Sequence, residues 1–470
     1  MSLQDELRTD RAAARGGSTH AGGRGRRRRA LRLDLVLAAI VLVGPALALL
    51  GWAAARQRVG DLEERLVRDA EVAYGAPRVR AVHAGPPLPG SLADAVARHL
   101  PAIDAAFTEV EQDDPERKVL RAVVAGNAPA SALRPVHRAV VTRLRGDLDG
   151  LLAGSRAVAV GLVGWADASP PFPEPVGRAY QFAGLLAGAR VRLALAAGDT
   201  DAALRDCEDA LGLARDASVS GGLIGHMVGV AMVARLTPAC GAVLSALPPS
   251  RLPDAIRRLR AVRDAFPTPA AMLREEAIAF QIMQGRFLAP GLRERIPERA
   301  RVYWDLSGPE ATSSWERALA RDAWRVAREA LDRVAAAADR PDADRAAVVA
   351  DVEAGLARRM NVVLLGVPLG AYLKFARRAE NARRRLDALV VAATARGSGA
   401  AGVAELASAG FLTAAEAERC AAFVAFDAGA DGTRTMTAKL LATDPAPAER
   451  VTVPIGAAAS GARSPPGAPR

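Results

Sequence analysis

The stretch from Leu35 to Ala55 constrains this chain more than any other part of it. It holds twenty-one consecutive residues without a charge. A helix rises about 1.5 Å per residue, so such a run matches the ~30 Å hydrocarbon core of a bilayer. Leu35, Val36, Leu37, Ile40, Val41, Leu42, Val43, Leu47, Leu49 and Leu50 supply its apolar surface. Pro45 lies mid-run, where a spanning helix tolerates it, and Trp52 lies near the far end, where an indole favours the membrane interface. The pattern predicts a transmembrane helix over 35–55.

The flanks set its orientation. Residues 1–33 contain nine Arg and three acidic residues, a net of +6, with Arg26, Arg27, Arg28, Arg29 and Arg32 closest to the run. Residues 56–71 carry four Arg against five carboxylates, a net of −1. Positive flanks stay cytoplasmic, so the expectation is an N-terminus inside and the bulk of the chain outside a bacterial inner membrane, the lipid bilayer being the first partner. A cleaved signal peptide is the rival, because Ala53-Ala54-Ala55 offers a small-residue site. The run is longer than a usual signal core, however, and about thirty residues precede it, which favours an uncleaved anchor. The Arg cluster also has a nucleic-acid reading. With 60 Arg but only Lys118, Lys374 and Lys439, the basic charge reflects the coding bias of a GC-rich genome, and no nucleic-acid partner is expected.

Half of the chain is apolar but only 4% is aromatic. Ala is the strongest helix former, and strand-type alternation is scarce. The predicted fold class is mostly α: an N-terminal transmembrane helix, an α-helical bundle or hairpin ectodomain, and a small C-terminal β-hairpin. The predicted domains run as follows: 1–34, a disordered cytoplasmic tail; 35–55, the anchor; 56–90, a juxtamembrane helix with Leu62, Leu66 and Val67 on one face, then a Pro/Gly linker; 91–360, the helical ectodomain. A C-terminal helix with a small α+β segment follows over 361–442, and a Pro/Ala/Gly-rich tail, read as disordered, over 443–470.

The clearest local unit is a helical hairpin. One helix spans about 177–197, Gly198-Asp199-Thr200 stops it and caps the next, and Leu204, Cys207, Leu211 and Ala214 make an amphipathic stripe. A third helix, about 219–245, is apolar nearly all round; Pro238 and its polar residues mark it as the central helix of the bundle rather than a second span. Residues 360–373 are uncharged but short for a span, and read as a buried or interfacial helix. The segments 422–427 and 433–441 predict a hairpin around Gly429–Gly432.

The hairpin text Leu193 to Arg215 (L-A-L-A-A-G-D-T-D-A-A-L-R-D-C-E-D-A-L-G-L-A-R), followed by Gly222 to Ala231 (G-L-I-G-H-M-V-G-V-A), resembles uncharacterised single-span helical membrane proteins of planctomycetes, myxobacteria and related bacteria. The same hairpin resembles a lone tetratricopeptide-type unit, with no second copy at a 34-residue period. The resemblance implies a single span and a helical ectodomain, and no activity. Residues 361–441 are similar in layout to a degenerate pseudopilin module: an apolar helix, an Ala/Arg-rich helix, a Gly-containing loop with Glu405-Leu406, and a small hairpin. The pilin-type start and the Tyr-Pro after the helix are missing.

Catalytic constellations are scarce. The histidines are His20, His83, His99, His137 and His226, and no H-E-x-x-H, G-x-S-x-G, Walker or EF-hand pattern occurs. No metal site and no cofactor is expected. Cys207, Cys240 and Cys420 have no C-x-x-C spacing. The preferred reading is three buried small apolar residues; Cys207 and Cys240 pair only if their helices pack in an oxidising compartment. The candidates for a buried polar site are His226, on an apolar helix, and the pair Glu275 and Glu276, one of which must approach the apolar face and find a partner there, expected to be Arg. The sequence thus points to a membrane-anchored scaffold or interaction protein of the cell envelope, with another envelope protein as partner through the groove of the 177–245 helices. An envelope hydrolase or lyase around His226 and Glu275/Glu276, and an accessory of a secretion or pseudopilus-type system, are the alternatives.

Overall fold

The structure is a computed structural model that describes residues 60–75, 86–111, 114–159, 174–219, 222–301, 304, 314–358, 369–428, 434–442 and 450–455. The predicted anchor, Arg26 to Arg32, Trp52, both ends of the chain and residues 360–368 lie outside the described residues. The chain divides into two compact units, of which the second, Leu62–Arg470, holds the fold described below.

The described body is mostly helical with a small sheet. Its helices are α1 (60–74), α2 (Leu92–Glu111), α3 (Asp114–Ala125), α4 (Pro135–Arg143), α5 (Arg145–Gly154), α6 (Glu174–Ala196), α7 (Thr200–Ala217), α8 (Gly222–Ala246), α9 (Leu252–Ala265) and α10 (Pro269–Leu288). They continue with α11 (Ser314–Ala337), α12 (Asp342–Ala357), α13 (Leu369–Ser398), α14 (Val403–Ser408) and α15 (Ala414–Ala421). Strands β1 (Leu88–Ser91) and β2 (Ala157–Ala159) pair in parallel. Strands β3 (Val424–Ala428), β4 (Arg434–Lys439) and β5 (Arg450–Pro454) form an antiparallel sheet in the order β3-β4-β5.

Local chemistry explains the boundaries. Gly198 takes φ +79° in the α6–α7 turn, a conformation that costs a residue with a Cβ. Asp199 then caps α7 by accepting the Ala202 N–H at 2.9 Å. Thr268 caps α10 through the Ala271 N–H at 3.2 Å, with Pro269 at the first helical position. Thr413 and Glu416 close a capping box on α15.

The main core gathers α6, α7, α8, α9 and α13. The predicted stripe Leu204, Cys207, Leu211 and Ala214 is buried throughout. Leu223–Ala246 is the one helix among the described residues long and apolar enough to cross a membrane, and 67% of that stretch is buried in the body. Met232, Val233, Leu236, Ala239, Cys240 and Val243 are fully buried, so packing on several sides accounts for its apolar circumference. A second core joins α1 (Leu62, Leu66, Ala70, Tyr74) to α10, α11 and Trp304. A third joins the far half of α13 (Ala388, Val391, Ala392, Ala395) to Met436 of β4 and Val453 of β5, which face each other across the ladder.

Several expectations change. Cys207 and Cys240 form a disulfide with Cα atoms 5.6 Å apart, and only Cys420 of the three is free and buried. The preferred reading of three unpaired cysteines missed this because pairing depends on α7 lying against α8. Helix α2 runs through Pro101, a residue that usually breaks a helix; burial of Leu100 and Ile103 on either side outweighs that local preference. Helices α4 and α5 are separated at Leu144, where ψ is 9°. The hairpin of β3 and β4 forms as expected, but residues 450–454, expected in a disordered tail, add β5. Val451 and Val453 alternate with Thr452, a strand pattern too short to stand out in a Pro/Ala-rich segment. Within the expected 56–90 segment, α1 packs into the second core, and Arg328 pairs with its Asp69.

Candidate functional site

The three sequence candidates meet at the junction of α7, α8, α10 and α13. Glu276, on α10, reaches the first turn of α8, where its Oε2 accepts the Leu223 N–H at 2.6 Å. The first amides of a helix have no partner within the helix, and its N-terminus carries partial positive charge. Glu276 therefore caps α8 from a helix 53 residues further along the chain. Its partner is a backbone amide. Removal from water pushes its carboxyl up to about 7, the neighbouring Glu275 charge adds to that, and the Leu223 amide pulls it back. The hydroxyl of Tyr372, on α13, is likewise raised by burial and by the nearby Glu276.

His226 is 1% exposed, one turn further along α8. Its Nδ1 bonds to the carbonyl of Ser218, the residue that ends α7, and its ring lies 6.1 Å from that of Phe375 on α13. Close backbone approach makes this bond reachable. At Gly229 an added Cβ would overlap the Ser218 hydroxyl and the Ala214 carbonyl oxygen, so α8 can only lie this near α7 with glycine there. Glu275 is buried at 8% exposure, the member of the pair that faces the core. Glu276 and His226 thus help hold α7, α8, α10 and α13 together, and none of the three lines either cleft described below.

Sequence reasoning named the 177–245 helices as a groove but not its residues. The structure shows a groove of about 570 Å³ between α2, α3, α6 and the start of α8. Its apolar wall holds Phe107, Phe182, Leu223, Ile224, Met227 and Val228. Phe107 and Phe182 meet edge to face at 5.5 Å, and Ile224 remains 38% exposed. Arg121, Arg178 and Arg235, from three different helices, supply the cationic side. Arg178 is held by two nitrogens on Asp104 (3.1 and 3.3 Å) and lies 4.7 Å over the Phe107 ring. Arg235 donates to the Gln181 carbonyl at 3.3 Å. Among the described residues no carboxylate is part of the lining itself, but Asp104 pairs with Arg178 at its edge at 3.1 Å.

A second cleft of about 490 Å³ lies among α13, α15 and the residues linking α11 to α12. It carries Arg340, Arg383, Arg384 and Arg419, but also Asp339, Glu380 and Asp387. Arg419 forks onto Asp387 with two bonds of 3.0 Å, and Arg384 pairs with Glu380 at 2.6 Å. Arg263 adds a buried bond to Glu416 at 2.7 Å. This is a self-satisfied network that ties α9, α13 and α15 together. Its members are scattered over 263–419, so no local spacing in the sequence could reveal them.

Among the described residues no group of three His, Cys, Asp or Glu side chains is placed to hold a metal ion. The chain matches no family model, no curated protein and no solved structure.

Proposed function

We propose that this protein is a membrane-anchored helical interaction protein of the bacterial cell envelope, and that the groove among α2, α3, α6 and α8 is where its partner docks. The observation that carries the reading is the groove itself: three guanidiniums from three helices around a partly exposed aliphatic and aromatic wall. Arg and aromatic residues are the side chains enriched at interface hot spots. The Cys207–Cys240 disulfide supports exposure of the body to an oxidising compartment, in keeping with the positive-inside charge of residues 1–33.

The enzyme alternative has less support, because Glu276 and His226 are bonded to backbone groups and line neither of the two clefts described. The secretion or pseudopilus alternative has one feature in its favour, the packing of α13 on β4 and β5. Against it, the near half of the same helix belongs to the main core, with Tyr372, Phe375 and Ala379 buried there.

In-cell photo-crosslinking from a benzophenone side chain placed at position 224 tests the proposal. A discrete adduct is expected from position 224 and not from Val72, which is 91% exposed on α1. Equal labelling from both positions, or none from 224, would overturn it.

A further inference from the structure

We infer that Glu276 is a proton-operated clamp on the wall of the groove. The first argument is a missing local cap. Helix α8 begins at Gly222, and Gly221 before it has no side chain to offer the first amides of the helix. The Leu223 amide donates instead to Oε2 of Glu276, at 2.6 Å, on α10. The turn held by this bond carries Leu223, Ile224 and Met227, three residues of the groove's apolar wall. Glu276 is not part of the lining, so it acts on the wall through the helix and without touching an occupant.

The second argument is what surrounds the carboxyl. Glu275 stands beside it on α10, Tyr372 is near it on α13, and on α8 the Leu223 amide meets it, with His226 one turn further along. Burial and the Glu275 charge oppose its ionisation, the Leu223 amide favours it, and no cation is among the groups acting on it. The Tyr372 hydroxyl is raised by burial and by Glu276, so it stays neutral wherever Glu276 titrates. The direction follows from these groups. With the clamp shut the carboxyl sits at about 7, against 4.5 for an ordinary glutamate. A turn that lifts away returns the carboxyl to water and to its ordinary value. The shut form therefore holds the proton more tightly; it is fully favoured below pH 4.5 and loses ground as pH rises through 7. Between pH 5 and 8 the ratio of lifted to shut turns should rise by up to about 70-fold. The consequence for docking rests on the reading above: an occupant that needs the ordered wall is held less well at pH 8 than at pH 5.

Hydrogen exchange of the full chain in nanodiscs tests the clamp, read by mass spectrometry over residues 222–230 and corrected for the intrinsic pH dependence of amide exchange. From pH 5 to pH 8 the opening of this segment should rise at least fivefold in the parent and less than twofold in Glu276→Gln. That variant keeps an acceptor for the Leu223 amide and leaves His226 to titrate as before. Glu276→Ala removes the acceptor and should open the segment at least fivefold more than in the parent already at pH 5. Equal pH responses in the parent and Glu276→Gln, or exchange in Glu276→Ala as slow as the parent's, would overturn the clamp. Docking is read separately, by benzophenone crosslinking from position 224 in isolated membranes at pH 5 and 8. Adduct yield should fall at least threefold in the parent and stay level with Glu276→Gln. A discrete adduct of pH-independent yield in the parent would overturn the clamp's part in docking and leave the docking reading standing. No adduct at either pH, with exchange still responding, would remove the docking reading and leave the clamp on α8 supported.

Discussion

Reducing the Cys207–Cys240 bond is the perturbation with the most direct physical reading. The two cysteines are 33 positions apart. In the chain-entropy treatment a cross-link over such a loop lowers the entropy of the unfolded chain by roughly 12.5 cal/mol/K, or about 3.7 kcal/mol at 25 °C. Reduction leaves every other atom in place, which makes it cleaner than replacing two fully buried residues. With a urea slope of about 3 kcal/mol/M, the midpoint should fall by about 1.2 M. The assay is urea unfolding of the detergent-solubilised full chain, followed by circular dichroism, before and after reduction in the unfolded state. A thiol count completes it: unfolded without reductant, the protein should show one reactive thiol, Cys420, and after reduction three. Three thiols in protein recovered from an oxidising compartment, or a midpoint shift below about 0.3 M, would refute the reasoning. The count also bears on address, because the same chain kept in a reducing cytoplasm should show three.

Glu276 makes stability depend on pH. Its carboxyl sits at about 7 against 4.5 for an ordinary glutamate, so the folded state prefers the neutral form. That contribution is complete below pH 4.5 and is lost as pH rises through 7, a span worth about 3 kcal/mol at 1.36 kcal/mol per unit. Glu208 is pushed up to about 7 and Asp209 to about 6 by the same loss of water, so wild type must be compared with Glu276→Gln, which keeps an acceptor for the Leu223 amide. Between pH 5 and 8 the wild-type urea midpoint should fall further than the variant's; parallel curves would dismiss the cap as a titrating group. Gly229→Ala should destabilise by about 1–3 kcal/mol, the usual cost of overpacking, despite the higher helix propensity of alanine. A neutral or stabilising result would show that α7 and α8 can part. Leu66→Ala removes a fully buried side chain of α1 and should cost about 2–5 kcal/mol while exposing Arg65 and Arg68 to trypsin; unchanged cleavage there would mean α1 is not held by the second core.

Helices with repeated apolar stripes were legible because their signal is local. The α6–α7 hairpin, its Gly198–Asp199 turn and the central place of α8 all follow from spacing and capping chemistry within about fifty residues. The hairpin of β3 and β4 was legible for the same reason. What escaped were features made by distant residues. β5 is a five-residue strand that acquires meaning only against β4. Pro101 is a local helix breaker, and only burial of Leu100 and Ile103 on either side keeps α2 continuous. Of the candidate site, the sequence placed His226, Glu275 and Glu276 on apolar helices correctly, but not their work, because the Leu223 amide and the Ser218 carbonyl that engage them are backbone groups and leave no mark in residue identity.

Sequence alone determined that this chain is helical and carries an uncharged run long enough to span a bilayer, with a strongly positive flank before it. These are properties of composition and short-range order, and no fold is needed to see them. Tertiary structure alone decided that Cys207 pairs with Cys240, that Glu276 caps a helix, and that Arg121, Arg178 and Arg235 line one groove. The physical reason is distance: each of these depends on side chains tens of residues apart being brought within a few ångströms by packing.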